Sequence, residues 1–319
     1  MIRIEKDAAA PALKAFHVAS VGPKNNKVTR AADELTRAIR FFTDPLNYAN
    51  EQKLCKSSFA FKVYKDKELT AVLGRIFGKK CAYCESRVAH VMPKEIEHFR
   101  PKSAVENAGQ PALRPGYYWL AADWSNLLVA CVDCNRARRH AVPGQTAEVR
   151  LGKHTQFPLS NEQRRVRQHT GNVADEEQYR LLIHPCLDQP EDLLTYDDEG
   201  LIHPKDANDL RAKTSITVYA LQRKALVEER KRVLNELKFD LELLRSLAIE
   251  FNEMHVRTPQ ADRDRKRDQL LLQMRSIRQM FEPEAPFLGM VRDYVRRHAM
   301  AGAYADMLRA GIDLRHLLP

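Results

Sequence analysis

Long hydrophobic runs are absent from this chain. Its longest apolar stretches, such as residues 127–131, are far shorter than the roughly 20 residues that cross a bilayer. The opening residues, MIRIEKDAAAPALKAF, hold no apolar segment of the kind found in a secretory signal. Both absences set the expectation of a soluble, cytoplasmic protein with no membrane partner. No GxxxxGK[ST] stretch occurs, so no phosphate-cradling ATP loop is expected. Internal repeats and low-complexity tracts are lacking as well. Cysteines are few, six in 319 residues, and in a reducing compartment they do not read as disulfides.

What is present is charge, and enough apolar content for a core. Apolar residues make up 44 %, which argues against wholesale disorder. The length suits about two domains. A formal net charge of +10 favours a polyanionic partner, nucleic acid first and an anionic membrane surface second. The bland reading of the same charge is good solubility.

The texture changes along the chain. Residues 1–75 read as mostly helical. An amphipathic pattern starts at Thr29 and stops at Asp44-Pro45, and a second helix starts at Leu69 and ends at Gly78. Residues 76–160 hold four cysteines, both tryptophans and short apolar runs between turn residues; their centre, roughly 104–116, reads as a Pro/Gly loop. Residues 161–319 begin irregular, with a short strand expected at 179–185 and a turn at 197–200. From about Asn208 they become strongly helical. Leu226, Val233, Leu237, Leu241, Leu244, Ala248 and Phe251 mark one apolar face, and further helices are expected at about 263–281 and 286–308.

Two CxxC pairs, Cys81/Cys84 and Cys131/Cys134, stand 46 residues apart. Zinc takes four tetrahedral ligands, and two knuckles close such a shell, as a structural site requires. Four buried thiols are the bland alternative. Cys55 and Cys186 have no cysteine nearby and read as small buried hydrophobes. Forty-six residues are long for a plain ribbon, so the insert is where function is to be sought.

Inside the insert lies Glu95-Ile96-Glu97-His98-Phe99-Arg100-Pro101-Lys102. Asn126 follows after 27 intervening residues and Asn135 after eight more, directly behind the second CxxC. This series resembles the HNH nuclease motif, a ββα-metal fold, in its zinc-bound branch. The resemblance implies an α+β protein: a small ββα-metal HNH module with a structural zinc knuckle pair, embedded in a mainly α-helical chain. It implies a strand ending at Glu97-His98, a second strand with Asn126, and a helix carrying Asn135. It also implies that Asn126 is structural, tying the loop after the first strand to the second and so aiming His98.

The chemistry asks for these residue types in its own right. Phosphodiester hydrolysis needs an activated water, a cation on the developing charge, and leaving-group help. A neutral imidazole takes a proton near neutral pH, so His98 is the candidate base. Glu97 and Asn135 offer oxygen to Mg²⁺ or Mn²⁺, a metal separate from the zinc. The family often has Asp before the histidine, so Glu95 and Asp123 stay open as alternative carboxylates. Arg100, Lys102, Arg136, Arg138 and Arg139 fit a phosphate track, the last three on the first turns of a helix. A solvated basic face is the bland reading of each. The runs 164–167 and 263–267 either extend the track or are surface charge. Trp119 and Trp124 read as packing residues.

Beyond the motif, residues 3–6, 95–102, 119–128 and 181–186 and the stretch from Thr214 to Arg230 resemble the HNH subunit of the Septu and retron-associated anti-phage systems. That resemblance implies an effector that cuts nucleic acid, DNA foremost, beside an SMC/ABC-type ATPase. Two other readings remain open: a non-catalytic zinc-dependent nucleic-acid-binding module, and a partner-docking scaffold.

Overall fold

Capping side chains and apolar spacing set most of the helices. A single helical turn, α1 (Lys14–His17), precedes an antiparallel pair, β1 (Ala19–Val21) with β2 (Lys27–Thr29). The Thr29 hydroxyl accepts from the Ala32 amide at 3.1 Å and starts α2 (Arg30–Thr43), which ends at Asp44 before α3 (Pro45–Tyr48). Asp66 caps α4 (Lys67–Ile76) through the amides of Glu68 and Leu69, and Gly78 takes φ +56° just past its end. The computed structural model describes residues 1–7, 9–17, 19–21, 27–48, 54, 59–87, 95–106, 111–254 and 257–318; Cys55 and His90 lie outside them.

The candidate site is built on β3 (Glu95–His98) and β4 (Leu127–Ala130), an antiparallel pair in which Glu97 faces Leu128 and His98 faces Leu127. Every residue of β4 is fully buried. Burying Leu127, Leu128 and Val129 contributes about 1.5–3 kcal/mol each, which fixes the register of β3 against it. One helical turn, α5 (Val132–Asn135), follows. Then come β5 (Arg138–His140) paired with β6 (Val149–Leu151), α6 (Pro190–Leu193), and β7 (Leu194–Tyr196) paired with β8 (Ile202–Pro204) across the expected turn.

Two expectations fail here. Arg136, Arg138 and Arg139 are not on a helix: Arg136 is extended at φ −102°, ψ 143°, and the other two lie on β5. The helix stops because the Lys153 and His154 amides donate to the carbonyls of Cys134 and Asn135, at 2.8 and 2.7 Å. Residues 181–185 form no strand either. Arg180 bridges to Leu159; beyond it the Leu181 amide donates to the Pro158 carbonyl at 3.1 Å, the Pro185 carbonyl accepts from the Ile4 amide at 2.8 Å, and the Ser215 hydroxyl accepts from the Ile183 amide at 2.8 Å.

The C-terminal part is helical as its periodicity predicts: α7 (Leu210–Val218), α8 (Lys224–Glu253), α9 (Gln260–Gln279) and α10 (Leu288–Met300). The predicted stripe on α8 is buried from Leu226 to Ala248, with Phe251 half-buried against the same core. That core joins α4, the four knuckle cysteines, β4, Tyr219, Leu221, α8 and α10, so it draws on all three stretches of the chain. A smaller cluster of Ala38, Phe42, Phe61, Tyr118 and Ala121 lies under α2, with the Phe42 and Tyr118 rings stacked at 4.6 Å. Trp124 is buried, and its indole donates to the Asp7 carbonyl at 2.7 Å. No helix among the described residues is long and apolar enough to cross a membrane.

Candidate metal centre and active site

The two CxxC knuckles meet. Cys81 and Cys84 lie in the turn after α4, Cys131 caps the N-terminus of α5, and Cys134 sits within it. All four sulfurs are buried and lie within 4.8 Å of one another, with Cys84 and Cys131 at 3.8 Å, and none is in a disulfide. A tetrahedron with metal–sulfur bonds of about 2.3 Å has edges of about 3.8 Å, so this donor set fits a zinc ion. A buried guanidinium covers it: Arg223 donates to the sulfurs of Cys134, Cys84 and Cys131 at 3.5, 3.6 and 3.8 Å. Four thiolates around a divalent ion leave two net negative charges, and Arg223 offsets one of them in a place water does not reach. It is also the residue that precedes α8, so the longest helix starts at the metal centre.

Asn126 clamps the turn at the end of β3. Its Oδ1 accepts from the Arg100 amide at 2.7 Å, and its Nδ2 donates to the carbonyls of Arg100 and Leu120 at 3.0 and 3.1 Å. All of its groups are spent on backbone, and it does not reach the cavity. The clamp holds the residue two beyond His98, and so sets where that ring lies.

His98 is buried on the edge of a cavity of about 680 Å³. Its Nε2 donates to the Ala121 carbonyl at 2.9 Å. A carbonyl only accepts, so this bond fixes the Nε2–H tautomer and leaves the Nδ1 lone pair for the other side. There the Lys102 ammonium donates to Nδ1 at 3.4 Å, and Tyr64 packs edge-on at 4.7 Å. Burial, and then the Lys102 charge, push the imidazole pKa well below its usual value, so the ring is neutral at pH 7.

Two carboxylates and a side-chain amide line the same cavity: Glu95, Glu97 and Asn135. The Asn135 amide donates to Glu95 Oε2 at 2.8 Å, and Glu95 Oε1 pairs with Arg136. Glu97 is fully buried, with Oε1 2.6 Å from Lys153 Nζ in an ion contact that is not an aligned hydrogen bond. Burial raises the Glu97 pKa and lowers that of Lys153, each against the pull of the other. Such a pair is held at a cost in stability. Of the alternative carboxylates, Glu95 is at the cavity, whereas Asp123 caps Ser125 elsewhere.

The basic residues divide. Lys102 and Arg136 line the cavity; Arg138 and Arg139 are exposed on β5, Arg138 paired with Asp133 at 2.7 Å. Arg100 is turned inward, its guanidinium buried on Glu176 at 2.8 Å and on Glu177, so it faces no ligand. Arg165 is likewise internal, on Tyr117 and Phe157, and the 263–267 run pairs with acidic side chains of α8 and α9 as surface charge. Sequence reasoning missed Tyr64, Lys65, Arg150, Lys153, His154 and Thr155. All but Lys153 line the cavity, and Lys153 holds its floor. One signal was available, the isolated Gly152 before Lys-His-Thr. Its φ is +112°, and a Cβ there would stand 2.0 Å from the Arg136 carbonyl oxygen.

No family model matches the chain. Two proteins of Bacillus mycoides (strain KBAB4) do. One is Septu protein PtuB, 39% identical over 183 residues, which is 57% of this chain and 56% of that protein. The other is Septu protein PtuA, 30% identical over 169 residues, 53% of this chain and 21% of that protein. The chain thus spans about half the length of the first curated relative and a fifth of the second. The resemblance to Septu proteins drawn from the motifs is borne out by this similarity.

Proposed function

We propose that the chain is a metal-dependent HNH-type endonuclease that hydrolyses phosphodiester bonds of nucleic acid, DNA foremost, as an effector of anti-phage defence. One observation carries the reading. A neutral histidine with a fixed tautomer turns its unprotonated Nδ1, met at 3.4 Å by the Lys102 ammonium, to a cavity that also holds two carboxylates, an amide oxygen and further cations. His98 Nδ1 takes the proton of the attacking water, while the Ala121 carbonyl, through Nε2–H, keeps the ring in place as it becomes cationic. Lys102, Arg136, Lys65 and Arg150 offer positive charge to phosphate oxygens. Glu97 and Asn135, with Glu95 alongside, are the oxygen donors that would hold a hard divalent cation, Mg²⁺ or Mn²⁺, the carboxylates giving up their present contacts with Lys153 and Arg136. Such an ion supplies charge to the developing phosphorane and the leaving oxygen. The four-cysteine centre holds zinc and serves the fold. The ATP-driven step belongs to another chain, an SMC/ABC-type ATPase subunit. The similarity to two Septu proteins, PtuA and PtuB, supports a partner within the same system.

Plasmid cleavage by the purified chain in EDTA, Mg²⁺ or Mn²⁺ tests the proposal, beside His98→Ala with its zinc content measured. Cleavage that needs added metal and falls by at least about 100-fold in a zinc-replete His98→Ala supports it. Undiminished metal-dependent cleavage by His98→Ala would sink it. A second reading, a zinc-dependent module that binds nucleic acid without cutting it, is favoured by one feature: Glu95 and Glu97 already carry cationic partners. Salt-sensitive binding with no cleavage in any metal, with the ATPase present, supports that reading instead.

A further inference from the structure

Lys153 is the least exposed cation near the site, with its side chain fully buried. Filling space is not its purpose, since a methionine would fill the same volume without a desolvation cost. Its ammonium reaches two groups on adjacent residues: it donates to the His98 carbonyl at 2.9 Å and contacts Glu97 Oε1 at 2.6 Å. Its own amide donates to the Cys134 carbonyl at 2.8 Å, and the next amide, of His154, donates to the Asn135 carbonyl at 2.7 Å. One residue therefore hangs from a cysteine of the metal centre by its backbone and holds the histidine-bearing strand by its side chain. Gly152 lets the chain approach: at φ +112° it lies where any Cβ would meet the Arg136 backbone. The Gln156 amide donates to the Lys153 carbonyl at 2.7 Å and the Glu106 amide to the Thr155 carbonyl at 3.0 Å, which makes the segment stiff.

We propose that residues 152–155 are a strut that makes the placement of His98 conditional on the four-cysteine centre, with Lys153 as the positioning residue. It rests on the proposed function only for what His98 does there. With its metal in place the second knuckle is fixed, Cys134 and Asn135 present their carbonyls, and Lys153 pins the end of β3. Without it the knuckle loosens and the pin is lost.

The test reads the imidazole rather than the reaction. ¹⁵N-histidine spectra at one fixed pH are recorded for wild type, Lys153→Met, Gly152→Ala and chelator-treated wild type, with zinc measured in each. The His98 signals are identified by their loss in His98→Ala. In wild type the His98 pair shows an unprotonated Nδ1 and a protonated Nε2. In the zinc-replete variants and in the chelated protein, the His98 pair moves toward the averaged values of a mobile ring, while His203, on β8, stays as it was. If Lys153→Met does not fold, Lys153→Met combined with Glu97→Gln removes the unpaired buried carboxylate, and the same displacement is expected. Unchanged His98 signals in zinc-replete Lys153→Met, or in the double variant, overturn the proposal. A wild type that never cleaves, even with the ATPase present, and whose His98 signal still answers to Lys153, retains the strut and removes the nuclease.

Discussion

Among the described residues two histidines, His98 and His184, are buried and neutral, and only the first borders the cavity. His98 turns Nδ1 toward that cavity, met there by the Lys102 side chain at 3.4 Å; His184 spends Nδ1 on the Cys186 backbone amide at 3.0 Å, with the Phe99 ring 4.3 Å away. Burial, helped by the Arg180 and Lys6 charges, pushes the His184 pKa down to about 3. The unfolded chain titrates near 6.5. Between about pH 6.5 and 3 the unfolded state therefore binds the extra proton, so stability falls as the pH falls through that window. At pH 5 the loss is about 2 kcal/mol, from roughly 1.5 units at 1.36 kcal/mol each. His184→Asn keeps an acceptor for the Cys186 amide and cannot titrate. Urea unfolding at pH 7 and pH 5, in zinc-containing buffer, is expected to move the stability difference by that amount in favour of the variant; parallel losses would refute the assignment. At this scale the sequence was legible where chemistry fixes spacing. Four cysteines in two CxxC pairs and the Glu97-His98 step announce themselves. Lys153, Tyr64 and Arg150 do not, because one lysine, one tyrosine and one arginine look alike until the fold brings them to a histidine far away in the chain.

Among the elements, the junction of α5 and α8 matters most. Arg223 closes the metal centre from the far side and opens the 30-residue helix α8. A partner outside the ligand shell of this kind is worth about 10–100-fold in metal affinity. Arg223→Met is expected to lose zinc to a chromophoric chelator faster than wild type by a factor in that range. Arg223→Lys, which keeps the charge without the fork that reaches three sulfurs, should fall between the two. Equal release by all three would show the guanidinium to be a bystander. The long helices were legible because α8 repeats its apolar face over many turns, and α2 carries its cap and its Asp-Pro stop in the sequence. β5 was not, since Arg138-Arg139-His140 is short, polar and exposed and has no alternation to read. The brevity of α5 was hidden for a different reason: what stops it is a pair of amides supplied by the loop after β6.

For the molecule as a whole, a net charge of +10 says less than where the cations lie. Arg100, Arg165, Arg180, Arg223 and Arg230 are all buried, committed to carboxylates, carbonyls, sulfurs or rings. They belong to the interior and cannot meet a polyanion. The charge that can do so at the cavity is Lys65, Lys102, Arg136 and Arg150, with Lys65 and Arg150 exposed on its rim. Opposite consequences follow for residues that look equivalent in the sequence. Lys65→Ala with Arg150→Ala should leave zinc content and unfolding midpoint unchanged. The pair should weaken nucleic-acid binding and lower the slope of log K against log salt by about 2, close to one unit for each phosphate no longer neutralised. Arg100→Ala should do the reverse. It strands Glu176, which also accepts from the Tyr117 hydroxyl at 3.0 Å and the Val166 amide at 2.9 Å, and so costs about 3–5 kcal/mol of stability with no change in the salt slope. Fluorescence anisotropy across a salt series, with denaturant unfolding of the same preparations, separates the two. If Arg100→Ala lowered the salt slope and the rim pair did not, the anionic partner would lie on another face, and the cavity would lose its claim to be where nucleic acid is held.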